Sequence, residues 1–151
     1  MTAEFTIRRA ERDDIPGLVR LLHLLFSIEA DFTFDEKRQQ KGLHLLLESA
    51  ASCVLVAEID HQVVGMCSGQ WTISTAEGGV ALLVEDVVVE KNWQGNGVGT
   101  ALMDQIARWA AENGACRMQL LADRDNTAAL GFYEKLGWKE TRLICLRKYS
   151  S

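Results

Sequence analysis

The sequence has little proline, no Cys-x-x-Cys pair and no excess of basic residues, and each lack excludes a class of protein. Pro16 is the sole proline, and no low-complexity linker, internal repeat or composition shift marks a boundary, so the 151 residues are expected to form one domain, 1–151. Lys and Arg total 16 against 21 Asp and Glu, a net charge of −5. A protein that tracks a nucleic-acid backbone needs clustered cations, so no nucleic-acid partner is expected, and a cationic or neutral substrate fits better. Cys53, Cys67, Cys116 and Cys145 sit singly in apolar runs with no His at ligand spacing, which reads as buried free thiols rather than a zinc site or disulfides, and as no metal. No apolar run approaches the roughly 18 residues of a membrane span. The start, Met1-Thr2-Ala3-Glu4-Phe5, lacks a basic stretch followed by an apolar one, so a soluble, cytoplasmic protein without a membrane partner is expected. What is present is ordinary for a globular chain: 48% hydrophobic and 25% charged residues, which argues against disorder.

Along the chain, Phe5 to Arg9 reads as a strand, and Asp13 as the N-cap of a helix with Pro16 in its first turn. Ile15, Leu18, Val19, Leu22, Leu25 and Phe26 recur on one helical face, with His23 off that stripe. A second helix is expected from Asp35 to Glu48. Cys53 to Ile59 and Val63 to Ile73 are β-rich runs around an Asp60-His61 hairpin turn, and Glu77-Gly78-Gly79 leads into a third strand, Val80 to Val89. A helix then runs to about Asn113 with Gly114 as C-cap, followed by a strand Arg117 to Ala122, a helix Thr127 to Leu136 ended by Gly137, and a final strand Trp138 to Lys148. The order β-α-α-β-β-β-α-β-α-β predicts an α/β (α+β) fold with a mixed sheet and helices on both faces.

Between the third strand and its helix lies Gln94-Gly95-Asn96-Gly97-Val98-Gly99-Thr100. Glycines let the backbone turn sharply and present successive N–H groups, and such a nest at a helix N-terminus binds phosphate. A dinucleotide fingerprint would need glycine where Thr100 stands and a parallel βαβ setting, and a P-loop would need Gly-Lys-Ser/Thr. Both are excluded, although a plain tight turn would look the same. The segment from Asn126 to Trp138 adds an Asn at a helix start and Tyr133 two turns later.

Together the two segments resemble the GNAT acyltransferase superfamily, whose turn pattern is met by Gln94, Gly97 and Gly99 and whose Asn-x-x-Ala-x-x-Phe-Tyr-x-x-x-Gly-Phe pattern is met from Asn126, with Trp138 in place of Phe. The resemblance implies the acyl-CoA N-acyltransferase fold, a mixed sheet of six or seven strands flanked by about four helices, and acetyl-CoA as cosubstrate. By that resemblance Val87, Val88 and Val89 pair with the pantetheine arm through their backbone, and Gln94 to Thr100 hold the pyrophosphate. Asn126 then bonds the pantetheine or nearby backbone, and Tyr133 stands beside the sulfur. Gln94 replaces the commoner Arg, which removes a cation from the phosphates, and Lys91 is a candidate to replace it.

An alkyl ammonium has a pKa of about 10.4 in water, so acyl transfer to an amine needs a base, a donor for the thioester oxygen and a proton for the thiolate. Tyr133 suits the last task. Glu85 and Asp86 are adjacent on a strand and should point to opposite faces; Glu85 is the expected base, acting through water as in the polyamine-type enzymes it resembles, while Asp86 reads as a solvated or salt-bridged residue. His23, His44, Trp71, Phe32 and Phe34 are candidates for the acceptor groove, although solvated or core positions suit them as well. Glu29, Asp31, Asp35 and Glu36 favour a cationic acceptor. The expected activity is acetyl transfer from acetyl-CoA to a primary amine of a small molecule or peptide by direct nucleophilic attack. Its alternatives are a noncatalytic acyl-CoA-binding regulatory module and a structural interaction domain. Homodimerisation is common among proteins of this kind, and the segment Leu143-Ile144-Cys145-Leu146 would offer an edge for it.

Overall fold

The structure, a computed structural model, describes residues 4–29 and 31–150. The chain divides into two compact units, Met1–Leu120 and Leu121–Ser151. In the first, strand β1 (Thr6–Arg9) and a 3₁₀ turn (Arg12–Asp14) lead into helices α1 (Ile15–Ile28) and α2 (Glu36–Glu48). The strands β2 (Ser52–Ile59), β3 (Gln62–Ser74) and β4 (Gly79–Val89), a 3₁₀ turn (Lys91–Trp93), helix α3 (Val98–Glu112) and strand β5 (Arg117–Leu120) follow. The sheet order is β1-β2-β3-β4-β5, antiparallel except for the parallel pair of β4 and β5. The mixed sheet therefore matches the expected class, with five strands where six or seven were expected.

Local chemistry explains the boundaries. Pro16 sits in the first turn of α1, where its missing N–H is no loss. Asp35 caps α2 by accepting a hydrogen bond from the Arg38 N–H at 3.3 Å. Asp60 and His61 make the two-residue β2–β3 turn with φ of 48° and 64°, the left-handed pair such a hairpin requires. Arg8 ties β1 to the following turn by donating to both carboxylate oxygens of Asp14, at 2.8 and 2.9 Å, and from its Nε to Glu58 on β2.

The sheet is covered on both faces. Leu18, Leu21, Leu22 and Leu43 of α1 and α2 pack on Val54, Val56, Val63, Met66 and Val88. A bulge in β3 places Val64 between the pairs Glu58–Val63 and Ala57–Gly65. The bulge reverses the alternation, so Val63 lies under Gly17 of α1 while Gly65 faces α3. A Cβ on Gly65 would stand 3.2 Å from both Leu102 and Val98. On that face the Cys67 thiol is within 3.8 Å of the Leu102 carbonyl, and burial pushes its pKa up.

The second unit holds helix α4 (Thr127–Lys135), with Gly137 at φ 92° just past its end. The expected final strand over 138–148 is not formed, which accounts for the smaller strand number. Its apolar alternation finds no ladder. Leu143, Ile144 and Leu146 are exposed, and the Leu143 N–H donates locally to Thr141 Oγ1. The edge expected at 143–146 is accordingly absent. Two thiols also depart from expectation: Cys53 and Cys67 are buried, Cys116 and Cys145 exposed. No group of three or more metal-ligating side chains occurs among the described residues, nor a helix long and apolar enough to cross a membrane.

Candidate active site

Strand β4 pairs with β5 only from Ala81 to Val84. Beyond that point it keeps its partner on the β3 side, where Val88 pairs with Met66 and Val89 with Gly65, but has no ladder partner on the β5 side among the described residues. The backbone of Val87, Val88 and Val89 is thus a strand edge beyond the end of the β4–β5 ladder. An extended ligand can add to such an edge through main-chain hydrogen bonds.

After the 3₁₀ turn Lys91–Trp93 the chain enters the glycine turn. Gly95 and Gly97 have φ of 80° and 83°, and a Cβ at either would meet no atom within 4 Å, so glycine is kept for backbone conformation rather than for close packing. Gly97 is the N-cap of α3, and no side chain caps it; the first turn carries no acidic residue. The N–H groups that open α3, from Val98 through Gly99 and Thr100, have no carbonyl within the helix to bond, so they and the helix dipole favour an anion. Gln94 does not project toward that anion: its Nε2 donates to the Val89 carbonyl at 2.9 Å and closes the turn back on β4. Asn96 Nδ2 donates to the Gln94 carbonyl at 3.2 Å. Lys91, with Arg20, lines a neighbouring cleft of about 250 Å³, where Arg20 pairs with Glu90 at 3.4 Å and donates to the Val63 carbonyl at 2.6 Å. The turn fits a pyrophosphate held by backbone, with Gln94 shaping the turn rather than replacing an arginine's charge.

On β4 the carboxylates are arranged differently from a regular strand. Ser68 pairs with Glu85 and Met66 with Val88, so the single Cys67 opposes two residues, Asp86 and Val87. This bulge puts Asp86 at φ 55°, a left-handed conformation uncommon outside glycine. The extra residue also brings Glu85 onto the face of Val88, the face covered by α1, and breaks the simple alternation expected for the pair. Glu85 is exposed and Asp86 half-buried. Partial burial, with Glu85 and then Glu29 adding repulsion, pushes its pKa up to about 7.

Asn126 and Tyr133 lie in the second unit. Asn126 caps α4, its Oδ1 accepting from the Ala129 N–H at 3.1 Å. The Tyr133 ring sits 5.3 Å from that of Phe132 and 6.1 Å, edge-on, from that of Trp138. Among the groove candidates, His23 stacks on Phe34 at 4.1 Å, Phe26 meets Phe32 at 5.4 Å, and Trp71 stacks on Trp109 at 4.4 Å. His44 is exposed. The sequence reading placed Asp86 as a solvated or salt-bridged strand residue; its bulged conformation depends on register between strands and leaves no local signature beyond the Glu-Asp pair.

Known proteins are similar to this chain in sequence and fold. A model of the acetyltransferase (GNAT) family matches residues 19–138. An uncharacterised N-acetyltransferase of Archaeoglobus fulgidus is 31% identical over 84% of this chain and 88% of its own. One of Methanocaldococcus jannaschii is 24% identical over 93% of this chain, which spans 63% of that longer protein. The solved structure of a predicted acetyltransferase of Clostridium acetobutylicum with acetyl-CoA, 19% identical over 95% of this chain and 96% of its own, has the same fold at a TM-score of 0.81. The chain belongs to the acetyltransferase (GNAT) family of N-acetyltransferases.

Proposed function

We propose that this protein moves an acetyl group from acetyl-CoA to a primary amine of a small molecule or peptide, and that the chain works as one catalytic domain. The observation that carries the reading is the succession of two features along the chain: a strand edge without a ladder partner at Val87 to Val89 leads, through the 3₁₀ turn Lys91–Trp93, to a helix start at Gly97 to Thr100 that no side chain caps. One ligand, extended at one end and doubly anionic further along, satisfies both. Acetyl-CoA is such a molecule, and the backbone of Val87 to Val89 then orients the thioester and donates to its carbonyl oxygen.

The protein's side chains handle protons. Glu85, exposed on the α1 face of β4, takes a proton from the acceptor's ammonium through water. The freed lone pair attacks the thioester carbonyl carbon; a C–N bond forms, the C–S bond breaks, the departing thiolate takes a proton from the Tyr133 hydroxyl, and the second proton shed by the acylated nitrogen restores that hydroxyl. Asn126 is committed by its cap to the start of α4, so its part is to fix that helix. Thiol release from acetyl-CoA, followed across amines, polyamines, amino acids and peptide N-termini, tests the proposal. Acceptor-dependent release with an acetylated amine as product is expected. Binding of acetyl-CoA without release on any acceptor would instead favour a noncatalytic module.

A further inference from the structure

The face of the sheet that carries α1 and α2 holds two adjacent rows across β2, β3 and β4: Val54, Ser68 and Glu85 in one, Ser52, Gln70 and Leu83 in the other. Opposed residues share a face, as do residues two apart on a strand, so the rows form one floor. Val54 lies under the helices, Glu85 is exposed, and Gln70 and Leu83 are half-buried. The hydroxyls around Gln70 are all committed to main chain. Ser52 Oγ donates to the Leu46 carbonyl of α2, Ser68 Oγ to the Glu85 carbonyl at 3.2 Å, and Thr72 Oγ1 to the Ala81 carbonyl at 3.4 Å. Gln70 differs from them: its side-chain amide, with two N–H donors and a carbonyl acceptor, bonds to no described residue. Its backbone is held from both sides by Ser52 and Leu83, so the amide stands on a rigid element. A half-buried amide without a protein partner adds little to the fold, and its polar atoms gain when a ligand supplies the missing partner.

We propose that Gln70 positions the acceptor, its amide hydrogen-bonding a neutral polar group, a hydroxyl or an amide, that the acceptor carries a few bonds from the reacting amine. The inference rests on the acetyl-transfer reading above and adds how the acceptor is recognised. Gln70 and Glu85 are diagonal neighbours across β3 and β4, a relation that puts their Cβ atoms about 7 Å apart. A short acceptor spans that interval with its amine toward Glu85 and its polar group on Gln70. The amide carries no charge, so it selects by hydrogen bonding: a hydroxyl donates to Oε1 or accepts from Nε2, whereas an alkyl group does neither and leaves both atoms unpaired. Gln70 is thus a specificity residue, distinct from the proton acceptor.

Butylamine and 3-amino-1-propanol test this, because they have the same length and differ by a hydroxyl in place of a methyl group; β-alaninamide is the amide counterpart. The wild-type protein should use one or both polar amines about 3–10-fold better than butylamine in kcat/KM, the scale of a single hydrogen bond. Preference for neither overturns the inference. Gln70→Leu should erase the preference by raising KM for the polar amine by a similar factor, about 3–10-fold, while acetyl-CoA affinity stays as in the wild type. Gln70→Met, unbranched and of similar length, should do the same, which guards against a packing fault in either variant. A merely structural role would lower Tm and weaken all three amines equally, and that result, or variants that keep the preference, also overturns the inference. Calorimetry of the three amines with CoA-loaded protein reads the contact without turnover. If a polar amine binds with a Gln70-dependent advantage but no amine is acetylated, it is the acetyl-transfer reading that fails.

Discussion

At the residue scale the protein departs from regular structure where a ligand would be held. Gly97 takes φ 83° so that α3 can begin with its N–H groups bare, and Gln94 spends its amide on closing that turn. Gln94→Ala should therefore lower acetyl-CoA affinity several-fold, through a looser turn, at a stability cost of about 1 kcal/mol, as read by calorimetry and thermal melts. Tyr133→Phe removes only a hydroxyl and should lower kcat by about 100-fold with little change in acetyl-CoA KM; an unchanged kcat would take Tyr133 out of the mechanism. Asp86 also carries a pH signature. Its carboxyl is raised from 3.8 to about 7, so the folded chain keeps a proton that the unfolded chain has already lost. Stability should fall as pH rises across that window and level off above it. Melts of the wild type from about pH 5 to about pH 8 should show that decline, and Asp86→Asn should flatten it. The glycine turn was legible because φ above zero selects for glycine in the sequence itself. Asp86 was not, since its conformation follows from a register shift between β3 and β4.

At the element scale the meander and its hairpin were legible for local reasons. Asp60-His61 fits a two-residue turn, Gly78 the next reversal at φ 70°, and the apolar face of α1 its place on the sheet. The misread element was the segment 138–148, whose alternation resembles a strand but which has no ladder partner to make it one. Strand formation depends on a neighbour, whereas an amphipathic helix largely announces itself. The pinning of β1 makes a prediction of opposite sign to that for Asp86. Arg8 holds the Asp14 carboxyl below its ordinary pKa, mainly by their hydrogen bonds. Its stabilisation is present at neutral pH and lost as pH falls below the ordinary carboxylate range. Asp14→Asn should lower Tm clearly at pH 7 and far less at about pH 3.

At the scale of the whole molecule, the charge of −5 and the carboxylates at the β4 bulge agree in sign. If the acceptor is the cationic amine proposed above, that field draws it in, so its KM should rise when ionic strength goes from about 0.05 to about 0.5 M, while an effect confined to kcat would speak against steering. On the proposed reading the anionic cosubstrate meets the opposite need at the bare N-terminus of α3, and that turn has to overcome an unfavourable net charge. Titrating CoA into the folded wild type and into Gly97→Glu by calorimetry tests this most directly. Binding by the wild type and none by Gly97→Glu is predicted; equal affinity in the two would contradict the assignment of the pyrophosphate to this turn.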